Sequence, residues 1–269
     1  MVIRALNKYF VFNDEIRPAE LFVPAENEGG IYEVLRVSRG VPLFLEDHFD
    51  RFFYSAELAK KKIKFSKIEL ELFLKELIKM NDVTEGNVLV SCKVNLKMFF
   101  IPHLYPNEKM YQDGVKCGLL KAERDNPNAK VFQTSVRKKA NQLIDKNGFY
   151  EVILVDHFGH ITEGSRSNVF FVQDEALITP PSNAVLKGIT RLKVLQLASE
   201  MDLNIIEKDI SLEDLTAFQS AFITGTSPKI LPINQLDKQI FNPQNRIVLS
   251  LIRSYNELID EYINESLSN

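Results

Sequence analysis

Residues 148–172 read GFYEVILVDHFGHITEGSRSNVFFV, and the fold turns on how this stretch is interpreted. Two short apolar runs, Tyr150–Asp156 and Val169–Val172, are rich in Val, Ile and Phe and are bounded by Gly, Asn and Asp, a pattern that favours buried strands over helix. A turn at His157–His160 and a polar segment, Ile161–Asn168, separate them. Glu163 lies in that segment among the hydroxyls and amides of Thr162, Ser165, Ser167 and Asn168. Donors of this kind can hold a carboxylate ionised and ready to face a cationic group on a ligand. The plainer reading is an exposed turn glutamate.

Upstream of this stretch, apolar residues Val136, Ala140, Leu143 and Ile144 recur at helical spacing, so Ser135–Lys146 is predicted as a helix buried on that side. At about 100° per residue, Lys138 lies roughly opposite the buried side and should face water. Before the helix, Lys121–Ala129 (KAERDNPNA) is polar and turn-prone, with Asn-Pro-Asn as its strongest breaker, and reads as a crossing between domains. Lys130 follows directly, on an apolar stretch with Val131 and Phe132. As a lone lysine it is otherwise a surface residue.

The first third reads as strands followed by two helices. Tyr9–Asn13 and Ile16–Pro18 suggest a hairpin, and Ile31–Ser38 with Val41–Leu45 suggest two strands around Arg39 and Gly40. Phe49, Phe52, Phe53, Ala56 and Ala59 then take up a helical period, predicting an amphipathic helix over Asp47–Lys61. His48 and Arg51, three apart, share one face of it, where Arg51 could simply pair with Glu46 or Asp47. Ser66 followed by Glu69 forms a capping box ahead of the stripe Leu70, Phe73, Leu74, Leu77. Val88–Val94, Leu96–Ile101 and Gly114–Leu120 read as further strands.

Downstream, Gly188-Ile189-Thr190-Arg191 precedes Val194, Leu195, Leu197 and Ala198, which places Gly188–Thr190 at a helix N-terminus. Unpaired amides and the positive dipole end there suit a phosphate, although any helix start offers as much. Ala221–Thr226 reads as a buried strand ending in Thr-Gly-Thr-Ser, and Arg246–Ile263 as a long amphipathic packing helix.

Composition narrows the class. The 269 residues are 45% apolar and 26% charged, ordinary for a globular chain with substantial cores. A net charge of -3 gives no basic footprint for nucleic acid. Cys92 and Cys117 are too few for a disulfide framework, and no Cys/His cluster suggests a metal. The N-terminus lacks a signal-peptide core, and no apolar run reaches the length of a membrane span, which points to a soluble cytoplasmic protein.

Ile161–Phe170, ITEGSRSNVF, resembles the signature of the class IV, fold-type IV pyridoxal phosphate enzymes: branched-chain aminotransferases, D-amino acid aminotransferases and aminodeoxychorismate lyases. The resemblance runs from about Ile31 to Ile233 and takes in His48-Phe49-Asp50-Arg51, which matches an H-x-x-R pattern, and the G-I-T and T-G-T segments. It implies an α/β protein with a small N-terminal domain (1–120), a crossing (121–129) and a larger C-terminal domain (130–269), the cofactor cleft lying between the domains. It also implies that Lys130 is the catalytic lysine that bonds pyridoxal 5'-phosphate. Arg51, Ile189, Thr190 and Thr226 would then hold the phosphate and Glu163 the pyridine nitrogen.

Tyr32 and Arg36 would meet the substrate. Tyr32 matches a tyrosine of the D-amino acid enzymes, but their Arg-x-His carboxylate trap has no counterpart in Leu96–Tyr105, LKMFFIPHLY. The Gly-Gly-Asn-Tyr run of the branched-chain enzymes is replaced by Phe132, Gln133 and Thr134. The expected activity is transfer of an amino group between an L-amino acid, of branched-chain type, and a 2-oxo acid. The alternatives are an aminodeoxychorismate lyase and a catalytically silent binding protein that kept the fold. The resemblance further implies a homodimer. The concentration of Phe99, Phe100, Ile101, Leu104, Tyr105, Met110 and Tyr111 suits either an interface or the core of the small domain.

Overall fold

A computed structural model describes residues 5–24 and 29–268, which divide into two compact units. The first comprises the chain up to Leu104, together with Ala129–Phe132 and the chain from Ile259 onward. It opens with a hairpin of β1 (Leu6–Phe12) and β2 (Glu15–Pro18), turned at Asn13, whose φ of 57° is one that Asn tolerates. There follow β3 (Ile31–Ser38), β4 (Val41–Pro42), α1 (Leu45–Leu58), α2 (Lys67–Asn81), β5 (Glu85–Cys92) and β6 (Leu96–Ile101). The six strands form an antiparallel sheet in the order β2-β1-β6-β5-β3-β4.

Strict alternation along β3 sends Ile31, Glu33, Leu35 and Val37 into the interior. There the three apolar residues pack with Phe49 and Phe52 of α1 and Leu70, Leu74 and Leu77 of α2. The opposite face carries a smaller cluster of Phe10, Leu89 and Phe99, flanked by Tyr32, Val34 and Phe132. Phe99 and Phe100 are therefore both core residues of this unit, whereas Leu104 is 77% exposed.

The second unit contains α3 (Glu108–Asp113), β7 (Val115–Lys121), α4 (Thr134–Asn147), β8 (Glu151–Val155), β9 (His160–Gly164), β10 (Asn168–Gln173), β11 (Ala176–Thr179) and α5 (Ile189–Glu200). It continues through β12 (Asn204–Glu207), β13 (Ile210–Ser211), β14 (Ser220–Gly225), β15 (Lys229–Leu236), β16 (Gln239–Ile240) and α6 (Arg246–Ser268), which extends past the limit of the unit. Its ten-stranded sheet runs β12-β11-β10-β14-β15-β7-β8-β9-β13, with β16 paired to β15. The β15–β7, β7–β8 and β11–β12 pairs are parallel.

Several sequence expectations change. The residues 161–164 expected as a polar connection belong to β9, where Ile161, Glu163 and Gly164 are buried. The strand expected over 41–45 is cut to two residues, because Phe44 turns the chain at φ 51° and α1 begins at Leu45. The strand expected to Val94 stops at Cys92, leaving Val94 77% exposed. The expected first domain, 1–120, differs from the first unit in that β7 is hydrogen-bonded into the second sheet. Residues 129–132, placed by the expectation in or after the crossing, return to the first unit. Of the apolar side expected on α4, only Ala140 is fully buried, while Lys138 is exposed as predicted.

The core and the caps make unequal contributions. Leu74→Ala, which leaves a cavity at a fully buried site, should lower stability by about 2–5 kcal/mol. Ser66→Ala should cost about 1 kcal/mol, because the Ser66 hydroxyl accepts from the Glu69 amide while the Glu69 carboxylate accepts from the Ser66 amide. Exposed Lys138→Ala should stay within about 0.5 kcal/mol of the parent. Denaturant midpoints for the three variants check this order.

Candidate active site

In the first unit, the buried phase of β3 includes one carboxylate, Glu33, at 0% exposure. Burying a lone charge is costly, so it must find donors. It finds them on α1, where His48 and Arg51 share a face one turn apart. Arg51 donates from Nε to Oε1 and from Nη2 to Oε2 of Glu33, both at 2.7 Å, and His48 Nδ1 lies 2.9 Å from Oε2. The carboxylate can only accept, so that imidazole nitrogen carries the proton. Burial pushes Glu33 up, but the Arg51 charge and its bonds, with help from His48, outweigh this and hold it at about 2. Burial pushes His48 below its ordinary value against the pull of Glu33.

Arg51 therefore pairs with Glu33, a partner that local spacing along the helix did not suggest. Its partner lies in β3, where the apolar residues at 31, 35 and 37 already implied that position 33 faces inward.

Lys130 belongs to the same unit. Its amide donates to the buried Ser55 hydroxyl at 3.1 Å, and its carbonyl accepts from the Tyr32 amide at 3.0 Å. Residues 129–132 thus run beside residues 29–32, with a single bridge between Ile31 and Val131 in place of a full strand. Lys130 Nζ sits 4.8 Å from the Tyr32 ring centroid, and that ring stacks on Phe132 at 4.0 Å. Such an ammonium-over-ring contact is attractive. Arg36 lies four residues along the same face of β3 as Tyr32, with Nη2 3.9 Å from Glu85. Tyr32, Arg36, Arg51 and Lys130 thus all lie in one unit.

Glu163, Ile189, Thr190 and Thr226 lie in the other. Glu163 is 4% exposed; Oε1 accepts from Arg124 Nη1 at 3.0 Å and Oε2 from the Leu186 amide at 3.1 Å. The expected neighbouring donors mostly serve other groups. Alternation along β9 turns Thr162 to the other face, where its hydroxyl donates to the Leu154 carbonyl, and the Asn168 amide donates to Leu186 O. Ser165 and Ser167 donate to Glu151, at 2.7 and 3.1 Å. The amides of Val152 and Arg166 complete that set, so Glu151 organises the turn that follows Glu163. A Cβ at Gly164 would fall 1.9 Å from Ser167 Oγ, so this turn needs glycine.

The start of α5 is built for an anion. Gly188 is its N-cap and gives no side-chain cap, leaving the first helical amides, Ile189 and Thr190, without intrahelical partners. A Cβ at Gly188 would lie 2.1 Å from Asn168 Oδ1. Thr190 is buried with its hydroxyl 3.4 Å from that of Tyr255, and Thr226 follows the end of β14. Arg191, 1% exposed, donates to the Ser182 hydroxyl and the Pro180 carbonyl, both at 3.1 Å, and pairs with Glu207 at 3.3 Å. Burial pushes Arg191 below its ordinary value, with Glu207 pulling the other way. Neither Arg191 nor Glu151 was read as a site residue, although Arg191 adjoins the G-I-T run and Glu151 opens a strand. The amides at the start of α5 with the Thr190 hydroxyl suit a phosphate, whereas Arg191 is already held by Pro180, Ser182 and Glu207, and the buried carboxylate of Glu163 suits a protonated ring nitrogen. A cavity of about 250 Å³ lined by Leu120, Lys139, Gln142, Leu143 and Lys146 includes none of these residues. Among the described residues no cluster could hold a metal ion, and no helix is long and apolar enough to cross a membrane.

Known proteins share this architecture. The pattern of the family described as amino-transferase class IV matches residues 30–236. The chain is 30% identical over 247 residues to a D-alanine aminotransferase of Bacillus licheniformis, covering 82% of this chain and 85% of the relative. It is 25% identical to a probable branched-chain-amino-acid aminotransferase of Rickettsia felis, covering 87% of each. The branched-chain amino acid aminotransferase of Thermobaculum terrenum, solved in its PLP form, superposes with a TM-score of 0.81 over 94% of both chains at 23% identity. The mixed α/β, fold-type IV architecture is thereby shown.

Acid should test the buried carboxylate. Glu33 binds its proton less readily in the fold than at its ordinary 4.5, so its stabilising contribution is present above that value and is lost as pH falls through about 2. His48, also lowered, adds a loss of the same sign as pH drops below its ordinary 6.5. At pH 7, Glu33→Gln should be less stable than the parent by about 3–5 kcal/mol, since Arg51 loses its buried counter-charge. Denaturation at a series of pH values should show that gap narrowing below pH 4.5; a constant gap would mean Glu33 is not ionised in the fold.

Proposed function

The chain belongs to the class IV aminotransferases, enzymes of amino-group transfer, and from that premise we propose that it uses pyridoxal 5'-phosphate to exchange an amino group between an L-amino acid of branched-chain type and a 2-oxo acid. The observation that carries this reading is Lys130: its backbone is pinned through Ser55 and Tyr32, and its ammonium is held on the Tyr32 ring. When bound, the cofactor supplies the electron sink that the side chains of a protein lack.

The chain's own residues bind, orient and move protons. In the first unit, Lys130 Nζ would be the amine that bonds the cofactor and, once the substrate amine has displaced it, the base that takes the proton from the substrate Cα, and Arg51 would bind the phosphate through its planar fork. In the second unit, the amides of Ile189 and Thr190 and the hydroxyls of Thr190 and Thr226 donate to the phosphate. Glu163 keeps the ring nitrogen protonated. Its two oxygens already accept from Arg124 and Leu186, but a carboxylate has about four acceptor directions, so a further donor is accommodated. Tyr32 and Arg36 orient the substrate carboxylates. Tyr32, Val34 and Phe132, packed over Phe10, Leu89 and Phe99, offer a hydrocarbon surface suited to an aliphatic side chain. The protein works as a homodimer in the cytoplasm, where Cys92 and Cys117 stay reduced.

Borohydride treatment of the protein loaded with pyridoxal phosphate, followed by peptide mapping, should place the pyridoxyl mass on Lys130. A label on Lys138 refutes the assignment. Single L-amino acids added to the holoenzyme should convert the bound cofactor to its amine form, with leucine, isoleucine and valine fastest. Conversion by D-alanine alone would reverse the handedness. Release of pyruvate and 4-aminobenzoate from aminodeoxychorismate without that conversion would instead mark a lyase.

Assembly is tested separately. Sedimentation should give about twice the chain mass of 30.9 kDa. Leu104→Asp, at an apolar position 77% exposed in the single chain, should lower both dimer content and turnover. A fully active monomer would refute the dimer.

A further inference from the structure

The pair formed by Glu33 and Arg51 has two possible purposes that predict opposite effects on an anionic ligand. If Glu33 only compensates a buried guanidinium, it weakens the pull of Arg51 on any other anion, and removing it should strengthen phosphate binding. If Glu33 instead holds the guanidinium in place, removing it should weaken phosphate binding, because a loosened arginine must be ordered again each time the ligand arrives. An arginine loses much rotamer freedom when it is fixed, and such a hold removes that cost in advance.

The geometry favours the second purpose. Two bonds of 2.7 Å, one from Nε and one from Nη2, reach the two oxygens of the same carboxylate, so the plane of the guanidinium is fixed and not merely its distance. The carboxylate is itself held. Glu33 is 0% exposed on a strand paired along its length with β5, and His48 donates to Oε2 from the turn of α1 before Arg51. Charge compensation alone needs neither the fork nor the third donor.

We infer that Glu33, braced by His48, is a positioning residue that presents Arg51 to a phosphate-bearing ligand. The inference rests on the assignment of Arg51 to the cofactor phosphate made above. Glu33 touches neither substrate nor cofactor and acts only through Arg51, so it should affect the phosphate and leave the rest of the ligand alone.

The test compares two probes on the full-length chain freed of cofactor: pyridoxal 5'-phosphate and pyridoxal, which has the same aldehyde and ring but no phosphate. Binding of each is followed by absorbance, and the readout is the ratio of the two affinities. Arg51→Gln should lower this ratio by about a hundredfold. Glu33→Asp, which keeps the charge but retracts it by one methylene, should lower it by about tenfold, the scale on which outer groups that orient a ligand-binding residue act. Glu33→Gln should lower it further, and pyridoxal affinity should stay within about twofold of the parent in each variant. If Glu33→Gln fails to fold, losing both ligands, Glu33→Asp carries the test. In the Arg51→Gln background, Glu33→Asp should have no additional effect on the ratio.

A ratio that rises or stays level in Glu33→Asp, while Arg51→Gln lowers it, overturns the positioning role and leaves the Arg51 assignment standing. A ratio unchanged in Arg51→Gln removes the Arg51 assignment itself, and the inference with it. An additional effect of Glu33→Asp on the Arg51→Gln background would show that Glu33 acts by another route.

Discussion

A carboxylate that cannot reach water must be surrounded by donors, and Glu33 imposes that requirement on the whole first unit. Its strand lies beside the short edge strand β4 of the six-stranded sheet, its side chain enters the core, and among the described residues its donors sit one turn apart on α1. The helix must therefore pack on β3 with one particular face and in one register. A hydrophobic contact alone would tolerate sliding, whereas a fork and an imidazole converging on one carboxylate do not. The apolar neighbours Phe49 and Phe52 supply the burial that makes water an unavailable alternative. Replacing such a buried pair by apolar residues is often neutral for stability, so stability alone gives little reason for a charged group at this position. That is consistent with a role in presenting Arg51.

The second unit uses the same device for its loop. Glu151 collects two serine hydroxyls and two backbone amides, and the close approach of Ser167 to Gly164 leaves no room for a side chain there. The turn after β9 is thereby rigid, and Glu163, immediately before it, inherits a fixed backbone. Arg124 and the Leu186 amide then hold its carboxylate. Glu33 holds Arg51 itself, and Glu151 holds the turn next to Glu163.

Lys130 is held differently. Residues 129–132 leave the chain of the second unit and pair with residues 29–32 through backbone bonds, so the lysine is anchored at its amide and carbonyl while its side chain spans the Tyr32 ring. The backbone bonds fix where the side chain starts, and the Tyr32 contact marks where its ammonium lies, an arrangement that suits the role proposed for it.

Much of the fold was legible in the sequence because local patterns are caused by local physics. The alternation of β3, the phenylalanine period of α1, the Ser66–Glu69 cap and the glycine start of α5 each express a periodicity or a bond between near neighbours, and each appears where it was expected. The motif residues Arg51, Lys130, Glu163, Ile189 and Thr190 could be named by resemblance, but their partners could not. Arg51 pairs with Glu33, distant in sequence, and the serines beside Glu163 turn to Glu151, because both pairings cross between strands or from strand to helix. The sheet in which β7 pairs was likewise beyond local reading, since its partners β8 and β15 are set by registers between distant segments. Sequence by itself determined the elements and the chemical groups they carry. Only the tertiary structure decided which buried charges meet, because the cost of leaving one unpaired is set by burial, and burial arises from segments far apart in the chain.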